Sequence, residues 1–143
     1  VKVRIRDWRL GLCEGNGSSV LMITHEMGVV TETCYAVAVF YAGRVADTGR
    51  ARVVFVSPAH PYTAALLASI PPLSGERPHR LPAIAGAPPV PAQRPAGCAF
   101  LPRCSFAQAI CAQPRALRDV GAEHLAACIL SGGGLASSVT CAR

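Results

Sequence analysis

The chain has 143 residues, of which 51% are hydrophobic and 15% charged, enough for one buried core with a small appended module. The net charge of +6 comes almost entirely from scattered arginines without a basic, aromatic-rich stripe, so composition does not support nucleic-acid binding. No apolar run is long enough to cross a bilayer, and residues 1–12 lack the apolar segment of a signal peptide.

The first predicted element is a strand over 20–24. Its continuous hydrophobicity is typical of a buried strand in a mainly parallel sheet. His25 follows that strand directly, and the carboxyl ends of strands are where open α/β sheets bind ligands. A neutral or protonated imidazole at such an edge suits contact with a phosphate oxygen or an attacking water. Apolar residues at spacings of three and four then predict a short helix over 26–35.

Two further strands are predicted over 37–41 and 44–47, joined by a hairpin turn at Ala42-Gly43. Residues 53–56 form another short element. His60-Pro61-Tyr62 opens a helix, because proline costs nothing in the first helical turn. Its predicted apolar face consists of Tyr62, Leu66, Leu67 and Ile70, and Pro71-Pro72 ends it.

Proline content marks the division of the chain. Residues 71–97 hold eight of the twelve prolines, which predicts an extended linker rather than regular structure. The predicted organisation is an atypical leader at 1–16, a core at 17–70, this linker, a four-cysteine module at 98–130 and a flexible tail at 131–143.

The four-cysteine module carries the most specific chemistry. Cys98, Cys104, Cys111 and Cys128 are separated by five, six and sixteen residues. Four soft thiolates on compact turns suit zinc or an iron–sulfur cluster, and the spacing alone leaves the metal open. The total of seven cysteines is odd, which favours a reducing cytoplasm over a secreted disulfide scaffold. The other three, Cys13, Cys34 and Cys141, are predicted to have no ligand role.

Several segments also resemble a known family. The sequence LMITHEMGVV at 21–30 and VAVFYAGRV at 37–45 resemble the switch-histidine region of ATP-binding cassette proteins. SPAHPYT at 57–63, ALLASIP at 65–71 and then the four cysteines resemble the ATP-binding subunits of oligopeptide and dipeptide importers. The similarity runs from 17 to about 130, with the elements in the family's order.

The resemblance implies an α/β fold: the C-terminal fragment of a P-loop ATPase core with a small cysteine-rich extension. It implies that His25 is the catalytic and nucleotide-binding switch histidine, which contacts the γ-phosphate of ATP. It implies that the four cysteines hold a [4Fe–4S] cluster, with zinc as the alternative. The implied partners are the permease transmembrane subunits, a second ATP-binding subunit and ATP with Mg²⁺. The implied location is cytoplasmic and peripheral, on the inner face of the bacterial cell membrane, without direct insertion.

Departures from the family pattern limit what is carried over. Glu26 stands where aspartate is more usual, and Tyr35-Ala36 replaces an Asp-Arg pair. His124 resembles a histidine common before the last cysteine and is interpreted as structural rather than as a ligand. Lys2 is the only lysine and no glycine-rich turn precedes it, so this sequence contains no phosphate-binding loop.

The chain is therefore predicted to be a truncated ATP-binding subunit that does not hydrolyse ATP alone, with an unrelated leader. The alternative is a free-standing four-cysteine metal-binding module that interacts with a partner and has no nucleotide role.

Overall fold

The computed structural model describes residues 17–71 and 83–130, and the predictions for 1–16, 72–82 and 131–143 lie outside this part of the chain. The chain divides into two compact units, Val1–Thr33 and Cys34–Arg143. In the described ranges, no helix combines the length and apolar character needed to cross a membrane.

The first unit contains one described helix, α1, at Met27–Thr33. It is shorter than the predicted helix over 26–35, and Val30 is its buried residue. Thr24 Oγ1 accepts a hydrogen bond from the backbone N–H of Glu26 at 3.0 Å, just before the helix begins. The hydroxyls of Thr31 and Thr33 donate back to carbonyls one turn earlier.

The strand predicted over 20–24 is wrong. This segment is irregular, and the side chains of Leu21 and Ile23 are 91% and 93% exposed. A strand needs a neighbour to satisfy its backbone hydrogen bonds, and no strand of the described residues pairs with this one. Continuous hydrophobicity favours a strand in this segment, but it does not provide a neighbouring strand with which the segment could pair.

The second unit is built on a four-stranded sheet. Its strands are β1 at Ala36–Tyr41, β2 at Arg44–Arg50, β3 at Arg118–Gly121 and β4 at His124–Ala126. The spatial order is β1-β2-β4-β3, and all three pairings are antiparallel. The described sheet is therefore not the mainly parallel one that was predicted, and the unit is a small α/β arrangement.

The predicted hairpin at Ala42-Gly43 is confirmed. Both residues have positive φ, 46° and 77°, as the tight turns that match the twist of paired strands require. β2 continues to Arg50, beyond the predicted end at 47, because its second half pairs with β4 on the other side.

Two helices follow β2: α2 at Ala51–Val56 and α3 at Pro61–Ala68. The predicted start of α3 is confirmed, with Pro61 in its first turn and His60 as its N-cap. The predicted apolar face is wrong in part, because the buried residues of the helix are Pro61, Thr63 and Ala64. Ile70 lies beyond the end of α3 and remains 40% exposed.

Aromatic rings join the sheet to the cysteine-bearing segment. Tyr41 at the end of β1 lies 4.5 Å from Tyr62 of α3 and 5.3 Å from Phe100, measured between ring centroids. Tyr62 and Phe100 are 5.4 Å apart. Tilted and edge-to-face pairs at these distances stabilise beyond the area that they bury. The core cluster also contains Ala46 and Ala99, and Cys98 and Cys104 pack against it.

Candidate metal centre

Three of the four predicted ligands lie on short turns. Cys98 precedes a 3₁₀ turn at Leu101–Arg103, and Cys104 ends that turn by donating its backbone N–H to the carbonyl of Leu101 at 3.3 Å. Cys111 lies inside a second 3₁₀ turn, Ala109–Ala112. The backbone N–H of Cys98 donates to the carbonyl of Cys111 at 2.9 Å, which fixes the distance between the two turns.

Gly97 permits this close approach. A Cβ at position 97 would lie 2.3 Å from the carbonyl oxygen of Cys111 and 2.4 Å from the carbonyl carbon of Ala112. Both are backbone atoms, which cannot swing aside as the end of a flexible side chain can. A residue without a side chain is therefore needed where the two turns meet.

The fourth cysteine is delivered by the sheet. Cys128 follows β4 by two residues, and the intervening Ala127 donates its backbone N–H to the carbonyl of Ala46 in β2 at 2.9 Å. Sixteen residues separate Cys128 from Cys111 in the sequence, and the pairing of β4 with β2 brings Cys128 to the other thiols. None of the five described cysteines is joined in a disulfide.

All four thiols line one small cavity of about 20 Å³. Two polar side chains, His60 and Arg115, also line the cavity. The rest of the wall is apolar and consists of Pro61, Leu101, Phe106, Ala127, Ile129 and Leu130. In the described part of the chain, no three Cys, His, Asp or Glu side chains are close enough to hold a single metal ion. The structure thus gathers the predicted ligands without closing them into a finished coordination sphere.

Burial governs the electrostatics of these thiols. It raises the pKa of Cys98, Cys104 and Cys128, and the negative charge of neighbouring thiolates, that of Cys111 in each case, raises it further. Backbone N–H groups oppose this effect, among them that of Phe100 beside Cys98. In the metal-free protein these thiols are protonated near neutral pH, so metal binding must release protons.

Arg115 is a positively charged side chain in the cavity wall. Its Nε is buried and has no hydrogen-bond partner among the described residues. It also borders an adjoining cavity of about 250 Å³, which Arg44 and Tyr41 line as well. A guanidinium beside four thiolates would offset part of their negative charge.

A buried polar network lies behind the cavity. Asp47 of β2 is fully buried and pairs with Nε2 of His124 in β4. Its other carboxylate oxygen accepts the backbone N–H groups of Ala59 and His60, both at 3.1 Å. His124 does not line the cysteine cavity, in agreement with its interpretation as a structural residue.

His60 connects this network to the thiols. Its Nδ1 accepts the backbone N–H of Tyr62 at 3.0 Å, which caps α3, and its Nε2 lies 3.8 Å from Sγ of Cys98. Burial lowers the pKa of His60 to about 4, against the opposing charge of Asp47, so the ring is neutral at neutral pH.

The remaining predicted residues lie elsewhere. His25 is exposed in a bend just before α1, in the first unit, and its proposed nucleotide contact stays a prediction. Cys34 is partly buried at the start of the second unit and does not line the cavity. Cys13 and Cys141 lie outside the described residues.

Sequence reasoning missed Asp47, Arg115 and the ring of His60. His60 was recognised only as a helix start, although a histidine before proline in a first turn is also an N-cap acceptor. Asp47 stands in a strand that also holds two arginines and a threonine, so the sequence did not single it out or indicate its partner. Nothing in the sequence marked Arg115 among thirteen other basic residues.

Comparison with known proteins gives matches to peptide transporters. Residues 47–111 match the model of the oligopeptide/dipeptide transporter C-terminal region. A putative peptide import ATP-binding protein of Brucella melitensis biotype 1 is 38% identical over 128 residues, covering 90% of this chain and 38% of that protein. A probable peptide ABC transporter ATP-binding protein of Sinorhizobium fredii is 42% identical over 113 residues, covering 78% and 34%. A similar protein of Brucella ovis is 40% identical over 135 residues, covering 90% and 40%.

The chain spans less than half the length of these relatives. The matched region and the relatives agree with each other and with the motifs in the sequence. Residues 47–111 thus match the C-terminal region of oligopeptide/dipeptide transporters, and the similarity to peptide import ATP-binding proteins supports a C-terminal fragment of an ABC ATP-binding subunit.

Proposed function

We propose that this chain serves a peptide importer as the C-terminal part of its ATP-binding subunit, and that its four clustered cysteines bind a [4Fe–4S] cluster. The observation that carries the metal proposal is the convergence of Cys98, Cys104, Cys111 and Cys128 on one cavity. Cys128 lies beyond the end of β4, and the pairing of β4 with β2 brings it to the other three thiols, so sequence proximity alone does not account for the convergence.

The donor set fits an iron–sulfur cluster. The cavity presents four thiols and no carboxylate, and soft sulfur ligands select iron–sulfur clusters or zinc over hard cations. The unpartnered Nε of Arg115 supplies a positive neighbour for the negative charge that four thiolates would bring. When bound, the cluster would supply a structural cross-link between the sheet and the turns, or a redox-sensitive element.

Binding requires the turns to adjust. A cavity of about 20 Å³ holds roughly one water, which is less than a cluster needs. Zinc would instead require the four sulfurs to close to about 2.3 Å from one ion, and no three of the described candidate ligands are that close together. The two 3₁₀ turns are short and partly exposed, so they are the segments that would move.

The nucleotide role rests on His25. In a complete cassette, its imidazole would contact the γ-phosphate of ATP when two ATP-binding subunits close, and the closure would move the permease subunits. Its exposed position before α1 leaves the ring accessible to such a contact. This assignment places the protein at the cytoplasmic face of the membrane, held there by the permease.

The sheet favours this proposal over a free-standing metal module. β4, which delivers Cys128, pairs with β2 of the hairpin, and the aromatic cluster packs Phe100 against Tyr41 and Tyr62. Residues 71–143 would lose both sets of contacts if they folded alone, so a separate module lacks its own support.

The test is metal binding by the full chain, purified anaerobically and reconstituted with ferrous iron and sulfide. We expect a brown protein with a broad absorption band near about 400 nm and matching contents of iron and sulfide. A colourless protein that binds zinc would support the zinc alternative. Cys104→Ser should abolish binding of either, whereas Cys34→Ser is the matched control, because Cys34 lies outside the cavity. Unchanged metal content in Cys104→Ser would refute the ligand assignment.

A further inference from the structure

His60 stands between the buried core and the cysteine cavity. Its side chain is only 3% exposed, and its backbone N–H is held by the carboxylate of Asp47 at 3.1 Å. The ring lies 6.1 Å from that of Phe100, measured between centroids, in the same aromatic core.

The hydrogen bonds of the ring define its tautomer. Nδ1 accepts the backbone N–H of Tyr62 at 3.0 Å, so Nδ1 carries no hydrogen. In a neutral imidazole the hydrogen must then be on Nε2. Nε2 is the nitrogen 3.8 Å from Sγ of Cys98, and it therefore acts as the donor in that contact.

We propose that His60 is a positioning residue of the metal centre, which donates a hydrogen bond from Nε2 to the sulfur of Cys98. The inference rests on the proposed metal centre, because it concerns Cys98 as a ligand. A thiolate is a stronger acceptor than a thiol, so the bond strengthens when Cys98 binds metal. The donor withdraws electron density from the ligand sulfur, which stabilises the reduced state of a cluster and raises its reduction potential.

The geometry makes this donor preorganised. The cap to Tyr62 fixes the ring rotation, and the bond to Asp47 fixes the backbone from which the ring projects. No rearrangement of His60 is needed for the ring to meet the ligand. Partners of this kind commonly change metal affinity by about 10- to 100-fold when they are removed.

Two substitutions separate the cap from the sulfur contact. His60→Asn keeps a short side chain whose oxygen can accept the Tyr62 N–H, since asparagine is among the best N-caps, but it cannot reach Cys98. His60→Gln places an amide N–H near the former position of Nε2, at the expense of the cap. The first variant should keep the cap to Tyr62 and lose the effect on the metal. The second should lose some stability and retain part of that effect.

The experiment uses the full chain reconstituted with ferrous iron and sulfide, and in parallel loaded with zinc alone. For His60→Asn we expect a more negative midpoint potential by spectroelectrochemistry, and zinc binding weaker by about 10- to 100-fold in chelator competition. His60→Gln should lie between that variant and the wild type. In cadmium-loaded wild-type protein, nuclear magnetic resonance should show coupling between the His60 Nε2 hydrogen and the metal nucleus through the sulfur.

The outcomes distinguish this inference from the proposed function. If the wild type binds neither iron nor zinc, both proposals fall. If it binds metal, but His60→Asn matches it in potential and zinc affinity, the metal centre stands and the role of His60 is wrong. If a variant fails to fold, the cadmium coupling in the wild type decides, and its absence would overturn the inference.

Discussion

Replacing Gly97 with alanine tests whether the close approach of the two cysteine turns holds the site together. The added Cβ would lie 2.3 Å from the carbonyl oxygen of Cys111 and 2.5 Å from that of Ala112. Separations below 3.0 Å cannot persist, and all the atoms concerned belong to the backbone. The turn that carries Cys111 must therefore move away from Cys98.

The expected change in the free energy of unfolding combines two destabilising effects and one stabilising effect. Forced overpacking typically costs about 1–3 kcal/mol. The 2.9 Å hydrogen bond from Cys98 to Cys111 contributes about 1 kcal/mol more. Alanine restricts the unfolded chain, which returns about 0.5–1 kcal/mol. We therefore expect the free energy of unfolding to fall by about 1–3.5 kcal/mol, together with reduced metal binding.

Gly28→Ala is the matched control for the same chemical change. A Cβ at Gly28 meets nothing within 4 Å, and the residue lies in α1 without a positive φ. This variant should be neutral or up to about 1 kcal/mol more stable, with full metal content. Urea unfolding gives the free energies, and metal analysis of reconstituted protein gives the occupancy. Wild-type stability and metal content in Gly97→Ala would refute the reasoning.

Two further predictions concern residues around the site. The guanidinium of Arg103 donates four hydrogen bonds of 2.7–3.0 Å, to the carbonyls of Ile84, Ala85 and Gly86 and to the hydroxyl of Tyr41. Arg103→Lys keeps the positive charge but loses the planar guanidinium group that makes these bonds. This variant should lower the free energy of unfolding by about 1–2 kcal/mol, as measured by urea unfolding. Equal stability of the two proteins would mean that these four bonds contribute nothing. The second prediction is a loss of stability in acid. Burial lowers the pKa of His60 from 6.5 to about 4, so between these values the unfolded state binds more protons than the folded state. Stability contributed by the neutral ring is complete above pH 6.5 and is lost as the pH falls towards 4, by about 2 kcal/mol at pH 5 in metal-free protein. The difference between the wild type and His60→Asn in urea midpoint, followed from pH 7 to pH 5, measures this contribution, and parallel curves would contradict it.

Local signals in the sequence predicted local structure well. The Ala42-Gly43 turn and the proline-led start of α3 are confirmed, because turn geometry and helix initiation depend on a few neighbouring residues. These features required no knowledge of distant contacts.

Pairing across the chain could not be predicted in the same way. The strand over 20–24 has the hydrophobicity of a buried strand, but hydrophobicity does not name a partner, and the segment is exposed. The pairing of β2 with β4 escaped notice because β4 has only three residues and shows no clear alternation. Asp47 and His124 meet across 77 positions, and only the sheet brings them together.

The delivery of Cys128 by β4 has a consequence for the assembly of the proposed metal centre. Three cysteines leave the ribosome well before residues 124–126, whose pairing with β2 places the fourth. A nascent chain can thus offer only an incomplete thiol set, open to oxidation or to the wrong cation. Stable loading must wait until translation has passed Cys128 and the hairpin has captured that strand. Cofactor insertion would then report that this part of the chain has finished folding.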